Sequence, residues 1–175
     1  QRGGALTAQL VATARRKRLA MEAVDLNEVV RTTLDLFQRA LDERVHVVQR
    51  LDARGAPARL NWSQAEQVVM NLLLNARDAV ALRGGTITVS TMRRHARTTL
   101  RVDDDGVGMS EAVRRRVFER FFTTKETAGG TGLGLATVHA VVARAGGRVL
   151  VESAPGAGAS FGVELPAPES MAAAG

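Results

Sequence analysis

Three groups of residues in this chain have the types and spacing to do chemistry. The first is a polar stripe, Asn71, Asn75 and Asp78, within "NLLLNARDAV". At 3.6 residues per turn these three line one edge of a helix whose apolar face is Ala65, Val68, Val69, Leu72, Ala76, Ala79 and Val80. Carboxamide and carboxylate oxygens are the hard ligands magnesium accepts, and Asn75 is the candidate. The same stripe is also what a solvated helix flank presents. The second group is "LRVDDDGVGM", where alternation puts Asp104 on the face of Leu100 and Val102. A carboxylate aimed at a core needs a donor, and the exocyclic amine of a purine supplies one. Gly106 and Gly108 let the backbone bend close to such a base. The third is "GGTGLGLATVHAVV", Gly129 to Val142, glycines running directly into an amphipathic helix. Bare N–H groups and the positive end of a helix form an anion cradle, although a flexible hinge has the same composition.

These groups need positioning elements, and the periodicity supplies them. Val29, Val30, Thr33, Leu34, Phe37 and Leu41 recur at helical spacing after an arginine-rich helical segment from Leu6 to about Ala20. "VHVVQRL" and "ARLNW" alternate as short strands. A long helix runs from about Trp62 to Leu82, opened by Asn61 or by the pair Ser63 and Glu66, and stopped by Gly84 and Gly85. "TITVSTM" and "TTLRVDD" form one strand pair; "RVLVES" and "ASFGVELP" form another, joined by "APGAG". Strands and helices alternate irregularly, which predicts an α/β fold with a mixed sheet covered by helices on one face.

Composition narrows the function classes. With 45% hydrophobic residues the chain can fill a core, and no apolar run approaches the roughly 20 residues that span a bilayer. Zero cysteines exclude disulfides, thiolate metal sites and cysteine nucleophiles, and fit a reducing, cytoplasmic setting. Of the +6 net charge, "RRKR" at Arg15 to Arg18 alone accounts for much, and aromatics are only 3%, so no nucleic acid is expected as a partner. There is no GxxxxGK[ST], and "FFTTKETA" is no buried strand, so neither the P-loop nor the dinucleotide fingerprint applies.

In order and spacing the boxes resemble the catalytic and ATP-binding domain of sensor histidine kinases, in the GHKL superfamily. "NLLLNARDAV" is similar to its N box, "DDDGVGM" to its first glycine box, "VFERFFTTK" to its F box and "GTGLGLA" to its second glycine box; "SAPGAGASFGVELP" resembles its closing hairpin. The N box and "FFTTKE" look most like the nitrogen-regulatory type. The resemblance covers about residues 24–166 and implies an α+β two-layer sandwich of the Bergerat type. It implies ATP and Mg2+ as cofactors, with Asn75 on the metal, Asn71 assisting one turn earlier, and Asp104 accepting from the adenine amine. Gly106 and Gly108 would shape the base pocket, and Gly130, Thr131, Gly132, Leu133 and Gly134 would meet phosphates. Thr124 and Lys125 would reach phosphate, and Ser160 would sit near adenine through water. A lid from about Glu119 to Thr131 would close over ATP, with Phe118, Phe121 and Phe122 anchoring its hinge side.

Two departures refine the expectation. Where hydrolytic relatives in the superfamily carry a glutamate base, this chain has Asn71, which favours phosphoryl transfer over water activation. Many kinases of the family place a basic residue where this chain has Asp78. The resemblance also implies a phosphoacceptor histidine in an HExxN context; His46, His95 and His139 lack that context. The expected organisation is therefore 1–22 as the end of a second dimerisation helix and linker, 23–168 as the catalytic domain and 169–175 as a tail. Its expected partners are its own dimerisation and phosphoacceptor domain and a response-regulator receiver domain, with a membrane reached only through other parts of the parent. A DNA-clamping hydrolase, a nucleotide-sensing module and a basic nucleic-acid binder are the competing readings.

Overall fold

The computed structural model describes residues 23–124 and 130–168. The expected helical segment from Leu6 to Ala20, Lys125 and the tail lie outside the described residues. In chain order the elements are β1 (Ala23–Asp25), α1 (Leu26–Phe37), β2 (Val45–Arg50), β3 (Pro57–Arg59), α2 (Trp62–Val80), β4 (Gly85–Arg94), β5 (Arg97–Asp104), α3 (Glu111–Arg116), α4 (Gly134–Arg144), β6 (Arg148–Ser153) and β7 (Ala159–Pro166). A single 3₁₀ turn, Gln38–Ala40, follows α1.

Five strands form one mixed sheet in the order β2-β4-β5-β7-β6. β2 runs parallel to β4, and the other neighbours are antiparallel. Register puts Ile87, Val89 and Thr91 of β4 across from Asp104, Val102 and Leu100 of β5, which in turn face Ala159, Phe161 and Val163 of β7. All are buried, so one face of the sheet is continuous core. On it pack α1 through Val29, Val30 and Leu34, α2 through Val68, Val69, Leu72 and Leu73, and α4 through Val138 and Val142. Each such Leu or Val side chain contributes about 1.5–3 kcal/mol on leaving water. The opposite face carries Arg101, Asp103, Ser160 and Glu164.

Asn61 caps α2: its side chain accepts from the Gln64 N–H at 2.9 Å, so the helix starts there rather than at Ser63. Asp25 caps α1 in the same way, accepting from Asn27 N–H and, across the loop, from Ala56 N–H, each at 2.9 Å. A buried polar network then ties α1 to the sheet. Asn27 donates to the Asp52 carbonyl (2.8 Å) and accepts from the Thr91 hydroxyl (2.5 Å), which itself accepts from Asp52 N–H (3.0 Å). The Asp52 carboxylate receives Arg93 N–H (2.9 Å), Arg54 N–H (3.0 Å) and the Arg54 guanidinium (3.2 Å). Those donors hold its carboxyl well below the usual range, the guanidinium of Arg54 first among them.

Candidate functional site

β5 is the central strand of the sheet, and its last residue is Asp104. Alternation that buries Thr98, Leu100 and Val102 also buries Asp104, which is 7% exposed. Its Oδ1 accepts from Gly106 N–H at 3.0 Å. Burial pushes this carboxyl up, the neighbouring Asp105 and Asp103 charges add to that, and the N–H groups of Gly106 and Ala159 offset it only in part. Each carboxylate oxygen can accept more than one donor, so Asp104 has room for one more from a ligand.

The chain then turns sharply past the end of α2. A side-chain carbon at Gly106 would lie 2.5 Å from the Ala79 carbonyl oxygen, and Val107 N–H donates to that same oxygen at 3.1 Å. Gly108 has φ +65°, and a side chain there would collide with the Ala154 carbonyl. The Ser153 hydroxyl pins this turn to the β6–β7 hairpin, accepting from Met109 N–H (2.9 Å) and donating to the Gly158 carbonyl (2.7 Å).

The N-terminus of α4 starts at Gly134 with no side-chain cap, so its first N–H groups are left for another acceptor. Gly132, at φ +64°, brings its backbone against Phe121 so closely that no side chain fits, and Phe121 N–H donates to the Gly132 carbonyl at 3.0 Å. Gly134 sits beside Asn71, whose Oδ1 would lie 3.3 Å from a side-chain carbon there. A cleft of about 390 Å³ is lined by Asp104 and Ala159 and by Gly130, Thr131, Gly132 and Gly134. Asn71, Asn75 and Asp78 form one side; Met109, Val113, Val117 and Leu135 supply apolar wall. Apolar wall, one buried carboxylate and the backbone amides of an uncapped helix start are what a base joined to phosphates requires.

Of the residues singled out from sequence, Asn71, Asn75, Asp104, Gly108, Thr124, Gly130, Thr131, Gly132 and Gly134 line this one cleft. Gly106 lies behind it, buttressing the turn against α2. Leu133 turns outward, 41% exposed, while its carbonyl accepts from Thr137 N–H at 2.9 Å. Ser160 is corrected: it pairs with Asp103 in the β5–β7 register, so its side chain shares Asp103's face and not Asp104's. Ala159 stands beside Asp104 instead, a residue missed because only the pairing of two strands distant in sequence reveals it. Phe121 is corrected as an anchor as well, being 73% exposed at φ +64°. Phe118 does pack inward, edge-on to Phe161 at 6.4 Å and against His139 at 5.5 Å.

Among the described residues no group of three or more His, Cys, Asp or Glu side chains could hold a metal ion. Asn75 lines the cleft and has a carboxamide oxygen, a donor of the kind magnesium accepts. No described helix is long and apolar enough to cross a membrane.

Comparison with known proteins agrees with this geometry. Residues 61–169 match the family described as Histidine kinase-, DNA gyrase B-, and HSP90-like ATPase. The chain is 34% identical to the sensor kinase CckA of Brucella abortus (strain 2308), over 94% of this chain and 19% of that protein. It is 33% identical to the signal transduction histidine-protein kinase AtoS of Escherichia coli (strain K12), over 90% of this chain and 26% of that protein. The chain thus spans only about a fifth to a quarter of these curated relatives. Among solved structures, a mycobacterial sensor histidine kinase, MprB, superimposes with a TM-score of 0.74 at 28% identity, covering 85% of this chain and 98% of that one. With the box residues gathered around one cleft and the family match spanning more than half its length, the chain belongs to the histidine kinase-, gyrase B- and HSP90-like ATPases, as an ATP-binding domain of the sensor histidine kinase kind.

Proposed function

We propose that residues 23–168 bind Mg-ATP in this cleft and donate its γ-phosphoryl group to a histidine of a dimerisation domain, for relay to a receiver aspartate. The observation that carries the proposal is one cleft lined by the buried Asp104, by Asn71 and Asn75, and by the uncapped start of α4. Asp104 accepts the adenine amine, and Gly108 lets the turn lie flat against the base. The amides from Gly130 to Gly134 take the phosphates, with Thr124 and Thr131 at the rim. Asn75 holds magnesium, which supplies charge neutralisation on the triphosphate, and Asn71 orients the reacting end.

Transfer rather than hydrolysis is favoured by Asn71, a carboxamide that cannot take a proton from water. None of His46, His95 and His139 lines the cleft, which supports an acceptor supplied by another domain. We place the activity in the cytoplasm, where ATP is available. The test is calorimetric titration of the chain with ATP, with and without magnesium, followed by addition of a dimerisation domain carrying its histidine. Magnesium-dependent ATP binding with phosphohistidine formed on the added domain is the expected result. Binding without transfer to any acceptor would reduce the domain to a nucleotide-sensing module.

A further inference from the structure

The cleft that the proposed function fills with a triphosphate is lined by two acidic side chains, Asp78 and Asp104, and among the described residues by a single basic one, Arg77. Position 77 is an unexpected place for it. Residues one apart on a helix do not face each other, and on α2 the stripe Asn71, Asn75 and Asp78 points to the cleft while Arg77 starts about 100° away from Asp78. Arg77 nevertheless lines the cleft, and its Nε (3.1 Å) and Nη2 (2.9 Å) both donate to Asp78 Oδ1. Stability does not account for the arrangement, since both side chains are more than a third exposed and such pairs contribute little.

We propose that Arg77 is a phosphate-binding residue of this cleft and that Asp78 is the positioning residue that aims it; the inference rests on the reading of the cleft as an ATP site. A guanidinium carries more N–H donors than the two given to Asp78, and its planar fork suits phosphate oxygens. The pair thereby restores to the rim the cationic donor that the aspartate at position 78 otherwise denies it.

The test is titration of the 175-residue chain and its variants with Mg-ATP and with adenosine. Arg77→Gln should weaken ATP by about tenfold, the scale of a charge-assisted hydrogen bond at a partly exposed site, and leave adenosine unchanged. Arg77→Lys, which keeps charge but loses the fork, should recover part of the loss. The double variant Arg77→Gln/Asp78→Asn separates contact from screening. If ATP binding stays weak in it, Arg77 touches phosphate; if binding returns to that of the parent, Arg77 only neutralises Asp78 and the proposal falls. Equal losses for ATP and adenosine, or no loss for either, overturn it too. A parent chain that binds neither ligand would instead overturn the ATP reading on which the inference stands.

Discussion

Asp52 and Asp104 are both mostly sequestered aspartates at the margin of the same sheet, and their surroundings push them in opposite directions. Asp52 is surrounded by donors from Arg54 and Arg93, its carboxyl is held far below the usual range, and the network through Thr91 and Asn27 fastens α1 to β4. Asp104 is buried, accepts from the N–H groups of Gly106 and Ala159, and is held above the usual range by its burial. A carboxylate whose acceptors are satisfied within the fold stabilises the fold. One whose burial disfavours its charge is held at the fold's expense, and a ligand's donor offsets that cost. The contrast accompanies a difference in place, since Asp104 lines the cleft and Asp52 does not.

The largest expected effect tests the functional side. Asp104→Asn should weaken ATP by about 100-fold, the loss of one charge-assisted hydrogen bond in a buried site, and should weaken GTP less. Thermal stability should hold or rise, because a disfavoured charge is removed. A matching loss of stability would erase the distinction between the two aspartates. Asp52→Asn should do the reverse, lowering unfolding free energy by about 1–3 kcal/mol in urea titrations with ATP affinity unchanged. Asn75→Ala comes next, with a loss of about tenfold confined to the magnesium-dependent part of ATP binding. Equal losses with and without metal would remove Asn75 from the metal.

Acidification sharpens the same contrast with the smallest effect. The raised carboxyl of Asp104 takes up its proton at higher pH than an ordinary carboxylate, so ATP affinity should begin to fall above the ordinary carboxylate range. Protonation of a group with a raised folded-state pKa favours the folded form, so this loss comes without unfolding. The stabilisation from Asp52 is present above its unfolded pKa and is lost only as pH drops through its depressed folded value. Affinity and melting temperature followed together down the pH scale should therefore part company. If they fall in step, Asp104 is not titrating separately.

Much of this was legible in the chain. Helical spacing placed α2 and its polar stripe, alternation aimed Asp104 inward, and glycines ahead of an apolar helix marked the anion end. What escaped depended on pairings between distant segments. Ser160 was chosen by its hydroxyl, yet strand register decides the face, and Ala159 holds the place beside Asp104. The resemblance implied Phe121 as a hinge anchor, yet it has a positive φ, lies against Gly132 and is 73% exposed. Arg77 was passed over because helix geometry alone points it away, yet it lines the cleft, bonded to Asp78.

The junction of β5 with β7 has a kinetic consequence. Asp104 and Ala159 meet only when two strands far apart in the chain zip together, whereas α2 and the β4–β5 hairpin form from neighbours in sequence. Closing so long a loop is the slow, entropy-limited part of assembling such a sheet. During refolding, helical signal should therefore appear before the domain can capture nucleotide, and ATP, which engages only the completed junction, should slow unfolding more than it speeds folding.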